Sequence, residues 1–194
     1  TAIEHPSVLE VYKNLSEKGY TVEYVGVNHE GLIDLEQLKN MITKETALIS
    51  VIIINNEIGT IQPIEEIVKI KNSINKNTAL HVDAVQAYGK VRIHPKKTGI
   101  DLMTVSSHKI HGPKGAGALY TDRNIRIKPV LYGGGQESLL RSGTENVTGI
   151  CGFGLASELI FKNLDQHYNK VTALKNLFIE KLTGAIEKYK VISP

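Results

Sequence analysis

Cysteine is nearly absent: one residue in 194, Cys151, and tryptophan is missing altogether. A single thiol cannot build an internal disulfide framework, which points to a reducing, cytoplasmic compartment. Proline is scarce, with 6 residues, and the 17 glycines follow no repeating period, which excludes a collagen-like chain. Neither sign of charge dominates. Lys and Arg number 23 against 20 Asp and Glu, a net of +3, too small an excess to argue for nucleic acid. Long hydrophobic runs are also missing. The longest, residues 47–54, is broken by Ser50 and falls far short of the ~20 residues of a membrane span. No signal or transit peptide is visible. What is present, 41% hydrophobic and 22% charged residues, is ordinary globular composition and excludes a disordered chain. The length suits one domain, or one and a part. The chain opens at Thr1 and stops at Val191-Ile192-Ser193-Pro194, where a strand is expected to begin. Both ends read as those of a fragment.

Apolar runs alternate with helical spacings along most of the length. Val8, Leu9, Val11, Tyr12 and Leu15 give residues 6–18 a helical period, with Gly19 as the stop. Residues 21–27, rich in β-branched side chains and Tyr, read as a strand. Asp34 opens a short helix with Gln37 as a capping-box partner. Residues 47–54, apolar but for Ser50, have the nearly continuous character of a strand covered on both faces. Pro63 starts a helix with Ile64, Ile67, Val68 and Ile70 inside. Strands follow at 79–82, 102–106 and 116–120, then two helical stretches at 146–161 and 165–190 with a bend near Asn163. This order predicts an α/β domain: a mostly parallel sheet with flanking helices. In such sheets the ligand crevice lies at the carboxyl ends of the strands.

Three strand ends carry polar residues. Asn55 and Asn56 end the most apolar strand, where a turn is an equal reading. Asp83 ends another, within His81-Val82-Asp83-Ala84-Val85-Gln86. A carboxylate there must be exposed, hydrogen-bonded or paired with a cation. It reads either as a helix cap or as the counter-ion of a bound cationic group, of which a protonated pyridine nitrogen is one, and Gln86, three residues on, can lie on the same side. Lys109 follows Ser106, Ser107 and His108 at a third strand end and precedes a Gly/Pro-rich turn. A lysine amine in a partly desolvated site can form a Schiff base, and the hydroxyls and imidazole suit an anion such as phosphate. A metal site at His108 and His111 is the weaker reading, lacking nearby Cys or further carboxylates. Gly133-Gly134-Gly135 and Arg141-Ser142-Gly143-Thr144 lead into a helix start, which suits phosphate or a plain connector. Cys151 sits in an apolar helical stretch and reads as a buried, inert thiol.

Together these segments are more specific than any one alone. In order they are Glu4-His5, Asn55-Asn56-Glu57-Ile58-Gly59, the Asp83 segment, Ser106-Ser107-His108-Lys109-Ile110-His111-Gly112-Pro113-Lys114-Gly115, Gly134-Gly135-Gln136-Glu137 and Arg141-Ser142-Gly143-Thr144-Glu145-Asn146. The series resembles the cysteine desulfurases (NifS/IscS-like), within the class V aminotransferase-like group of fold type I pyridoxal-phosphate enzymes. The resemblance implies a three-layer large domain, incomplete here. Residues 1–163 correspond to the cofactor-binding domain without its first strand. Residues 164–194 correspond to a long helix leading towards an absent small domain.

Carried over residue by residue, the resemblance implies pyridoxal 5'-phosphate as cofactor and no metal. It makes Lys109 the Schiff-base lysine and Asp83 the partner of the ring nitrogen. It makes His5 the stacked imidazole, and Asn56 and Gln86 neighbours of the phenolic oxygen. Ser106 and His108 become phosphate ligands, and Thr144 a phosphate ligand given by the second subunit of a homodimer. The full enzyme would take sulfur from L-cysteine to an enzyme persulfide, leaving L-alanine, and serve iron–sulfur cluster or thiolation pathways through an acceptor scaffold protein. The family's nucleophilic Cys lies on a loop that Cys151 does not match, so this chain alone is expected to lack full turnover. Selenocysteine lyase, kynureninase and small aminotransferases of the same class are alternatives, as is a catalytically inert assembly domain.

Overall fold

The computed structural model describes residues 1–191. In chain order the elements are helix α1 (Pro6–Glu17), α2 (Leu35–Met41), strand β1 (Leu48–Ile52), α3 (Ile64–Ile74), β2 (Ala79–Asp83), α4 (Pro95–Thr98), β3 (Leu102–Ser106), a 3-10 turn (Ser107–Ile110), β4 (Gly117–Thr121), a second such turn (Gln136–Leu139), α5 (Val147–Lys162) and α6 (Leu164–Ala185). The strands form one sheet in the order β1-β2-β3-β4. β1, β2 and β3 are parallel, and β4 returns antiparallel to β3. This is the expected α/β architecture. Three successive carboxyl ends therefore open on one edge of the sheet.

Side chains alternate between the two faces of each strand. Ile49, Val51, Ile53, Leu80, Val82 and Met103 share a core with Ile64 and Ile67 of α3. Burying one such side chain contributes about 1.5–3 kcal/mol, so Ile67→Ala is expected to cost about 2–5 kcal/mol. The opposite face carries Ser50, Ile52, His81, Asp83 and Thr104, matched in register across the strands. At the amino end of β2, buried Lys71 donates to the Thr78 carbonyl at 2.8 Å and lies 3.6 Å from Asp101. That ion pair sits at the opposite end from the polar strand termini.

Residues 21–27 are not a strand. The segment joins no ladder: it shares an isolated bridge, Val27 with Ile33, one bond from the Ala2 N–H to the Val25 carbonyl, and one from the Gly26 N–H to the Gln37 side chain. The edge of β1 facing it is occupied instead by residues 1–4. The Thr1 amino group donates to the Ser50 carbonyl at 3.0 Å, and the Ile52 N–H donates to Glu4 Oε1 at 2.8 Å. A cavity of about 750 Å3 lies between β1 and the extended segment. The composition of 21–27 encodes an extended backbone, but a ladder needs a neighbouring strand, and none of the described residues supplies one there.

The capping box at α2 is half formed. Asp34 accepts from the Gln37 N–H at 2.9 Å, but the Gln37 side chain turns away to accept from the Gly26 N–H. The second long helix stops at Ala185 rather than near 190, and Asn163 separates it from α5. The strand expected at 191–194 falls almost wholly outside the described residues. α5 and α6 leave Ile150, Leu155, Leu159, Val171, Leu174 and Phe178 exposed. Among the described residues no helix is long and apolar enough to cross a membrane.

Candidate active site

The site is built where β2 and β3 end. Asp83 is the last residue of β2 and is only 5% exposed. Its Oδ1 accepts from the Val85 N–H at 2.9 Å, which turns the chain at the strand end. Its second oxygen has no partner among the described residues. β3 ends at Ser106 and passes directly into the 3-10 turn that carries His108 and Lys109. Ser106 Oγ and His108 Nδ1 are 2.7 Å apart. Lys109 is exposed, and no bond to its amine is formed within the described residues.

Close approach holds this turn against α5. A Cβ on Gly112 would lie 2.2 Å from Ser107 Oγ and 3.1 Å from the Ala156 methyl, and one on Gly152 would lie 2.5 Å from the Pro113 ring. A side chain at Gly152 would run into the proline ring, and one at Gly112 would displace the Ser107 hydroxyl. Tyr88, just beyond Gln86, packs edge-on against Phe153 and Phe161 of α5 and donates to Ser157 Oγ at 3.2 Å. α5 thereby fixes the segment after β2 and the turn after β3 against one body.

Several of the expected residues meet here. His5 lies near enough to Asp83 to favour its charged form. Its ring also caps α1, with Nδ1 accepting from the Ser7 N–H at 3.2 Å. Gln86 is held by Lys90, whose Nζ donates to the Gln86 carbonyl and side-chain oxygens. The two asparagines divide their roles. Asn55 makes the turn, accepting from the Glu57 and Ile58 N–H groups and donating to the Ile3 carbonyl. Asn56 is exposed and its amide is free of partners among the described residues.

Thr144 is not brought to this cluster. It lies on an exposed loop closed on itself by Ser142 Oγ donating to the Gly134 carbonyl and the Gly143 N–H donating to Gln136 Oε1. Cys151 is exposed, not buried. The apolar pattern around it made an outward-facing helix side look like a core stripe, and nothing described covers that side. Among the described residues no group of three or more His, Cys, Asp and Glu is placed to hold a metal. His111, in the left-handed conformation at φ 68°, ends the turn.

Burial sets the electrostatics. It pushes the Asp83 carboxyl up, opposed by the Val85 N–H and reinforced by Glu4, with His81 and His5 drawing it down. It pushes the His81 imidazole down, against the pull of Asp83 and Glu4. It pushes the Lys90 amine down, and the positive Lys109 beside it adds to the effect. Sequence reasoning singled out neither Glu4 nor His81 nor Lys90 for a role of its own. Glu4 has a buried carboxylate, and its Oε2 is sealed without a partner. The three were hidden because their importance is a matter of which strands meet, and no local spacing encodes that.

The arrangement offers a buried carboxylate with one free oxygen, a free primary amine one strand away, and a hydroxyl–imidazole pair beside that amine. This suits a planar cationic ring with an aldehyde and an anionic tail. Comparisons with known proteins identify the family. The family model for class-V aminotransferases matches residues 1–194. A cysteine desulfurase of Nostoc sp. is 46% identical over 191 residues, covering 98% of this chain and 47% of that protein. A solved NifS-like protein superposes with a TM-score of 0.95 at 41% identity, over 100% of this chain and 53% of its own. A structure described as SspA in complex with cysteine matches 81% of this chain and 46% of its own, with a TM-score of 0.77 and 39% identity. The chain spans about half the length of the curated relatives it matches. A match running from the first residue to the last, over a sheet that superposes on a NifS-like large domain, means that the chain belongs to the class-V aminotransferases.

Proposed function

We propose that this chain is the pyridoxal 5'-phosphate-binding part of a cysteine desulfurase that works as a cytoplasmic homodimer. The single observation that carries the reading is Asp83: a carboxylate 5% exposed, with one hydrogen bond, at the end of a parallel strand. A buried carboxylate with a free oxygen is costly unless a cation meets it, and a protonated ring nitrogen is such a cation. When bound, the cofactor supplies an electron sink for the bonds at the substrate Cα.

The chain's own residues do the rest. Asp83 holds the positive charge on the ring nitrogen. His5 stacks on the ring, and Gln86 and Asn56 address its phenolic oxygen. Ser106 and His108 hold the phosphate, with Thr144 of a second subunit completing the cradle. Lys109 binds the aldehyde carbon through its amine and, once displaced by substrate, carries the proton away from Cα. L-cysteine is the proposed substrate. Support comes from the cysteine desulfurase relatives and from the cysteine held by the SspA structure. The sulfur passes to a cysteine thiolate elsewhere in the full protein, forming a persulfide as alanine leaves, and then to an acceptor scaffold protein. The domain boundary we propose is at residue 163, where Asn163 separates α5 from α6.

The test is the full-length protein with pyridoxal phosphate and L-cysteine, assayed for alanine and for one added sulfur by intact mass. Both products in equal amounts are expected. Cofactor binding with turnover of another amino acid, and none of cysteine, overturns the desulfurase assignment in favour of another class-V reaction.

A further inference from the structure

His81 is a half-buried imidazole in the middle of a sheet, and both of its nitrogens are bonded. Nδ1 lies 2.7 Å from Ser50 Oγ on β1, and Nε2 lies 3.2 Å from Thr104 Oγ1 on β3. One side chain thus ties three parallel strands together, two residues before Asp83 and on the same face of β2. Core strand positions favour β-branched or aromatic apolar residues, so a histidine here needs a reason beyond packing. We infer that His81 is a positioning residue that ties the carboxyl end of β2 to both neighbouring strands and leaves the Asp83 carboxylate to a cationic ligand. The inference rests on the proposed function for the identity of that ligand.

The argument is geometric first. A neutral imidazole donates through one nitrogen and accepts through the other, and a hydroxyl serves either need. Ser50 and Thr104 therefore satisfy the ring fully without any charge. The charged and titratable groups that face it are Asp83 from its own strand, Glu4 from the N-terminal segment, and Tyr12 of α1 acting through Ser50. β3 contributes only the hydroxyl of Thr104. Were His81 a cation, it would stand about 7 Å along the strand from Asp83 and compete for the carboxylate meant for the ring nitrogen. Burial holds the imidazole down towards its neutral form, so the competitor is absent at neutral pH.

The experiment uses the full-length protein. In its cofactor-free form the His81 titration is followed by NMR, in wild type and in Asp83→Asn. Coupling predicts a midpoint below the ordinary value of about 6.5 and a further fall in Asp83→Asn, where the attracting carboxylate is gone. A midpoint unmoved by Asp83→Asn overturns the inference. The affinity for pyridoxal 5'-phosphate is then read by absorbance from neutral to acid pH.

Wild type is expected to lose affinity roughly tenfold as His81 gains its proton. His81→Asn, which removes the ring and its tethers, is expected to bind several-fold more weakly than wild type at neutral pH and to show no further loss towards acid pH. A roughly tenfold loss towards acid pH that persists in His81→Asn indicates a merely structural role and overturns the inference. Thr104→Val, which keeps the ring and cuts one tether, is expected to weaken neutral-pH binding with the acid step intact. Wild-type affinity in Thr104→Val overturns the tether. If wild type shows no cofactor band but the cofactor-free coupling is present, the functional reading fails and the His81–Asp83 inference is supported.

Discussion

Lys90 Nζ donates to both oxygens of Gln86, to the carbonyl at 2.8 Å and to the side-chain amide at 2.9 Å. The amide oxygen is thereby engaged, and the amide NH2 is the end left for a ligand. Lys90→Met is expected to free the amide and to weaken pyridoxal phosphate binding by about five- to tenfold, the worth of one ordinary hydrogen bond. Absorbance titration checks this, and a shifted cofactor band at saturation is expected with it. Unchanged affinity and spectrum mean that Gln86 is oriented by something other than Lys90.

Lys109 is expected to be the one lysine fixed to the cofactor by borohydride. It is the exposed amine on the turn directly after β3, beside the Ser106–His108 pair. Peptide mapping of the reduced, full-length protein decides. A label on Lys114 or Lys90 with Lys109 free would remove the assignment, and Lys109→Ala is expected to abolish labelling.

Asp83 makes stability depend on pH in the cofactor-free protein. Its carboxyl is raised by burial, so the folded state holds the proton more tightly than the unfolded chain. The contribution is fully present below the ordinary value of about 3.9 and is lost as pH rises through the raised one. Asp83→Asn removes that loss. Without cofactor it is expected to melt a few degrees above wild type at pH 7 and at the same temperature near pH 3. With cofactor the order at pH 7 reverses, since the pyridinium then pairs with the carboxylate. Calorimetry at the two pH values tests both halves.

Cys151 is exposed on α5 and is expected to react readily with a thiol reagent in this chain. Cys151→Ala is nevertheless expected to leave turnover of the full-length enzyme within about twofold, as befits a surface substitution. Loss of the persulfide in Cys151→Ala would make it the sulfur carrier.

The three parallel strands were legible because each is a short apolar run closed by a polar residue. Their order and register follow from the helices between them. The segment at 21–27 was misread for the same reason that the others were read correctly. β-branched composition reports an extended backbone and says nothing of whether a partner strand lies alongside. The residues proposed to carry the chemistry were visible at strand ends, where polar side chains interrupt the apolar pattern. Glu4 and His81 were not. Glu4 bonds to Ile52, 48 residues away, and His81 to Ser50 and Thr104, 31 and 23 away. Cys151 was misjudged because an apolar helix side looks the same whether its cover lies in this chain or elsewhere.

The turn that carries Lys109 is tied down on both sides of the lysine. Ser107 donates its N–H to the Ala116 carbonyl, and Gly112 donates to the Ser107 carbonyl, each at 3.1 Å. Ile110, the next residue, is 3% exposed. The main chain there is an anchored pivot, and the side chain above it is a free arm of single bonds. Such an arm samples its rotamers within picoseconds to nanoseconds, far faster than loops or domains rearrange. If Lys109 is the base proposed above, it reaches its proton and withdraws without waiting for the protein to open, so raising solvent viscosity should slow the entry of substrate and the exit of product but leave the proton step untouched.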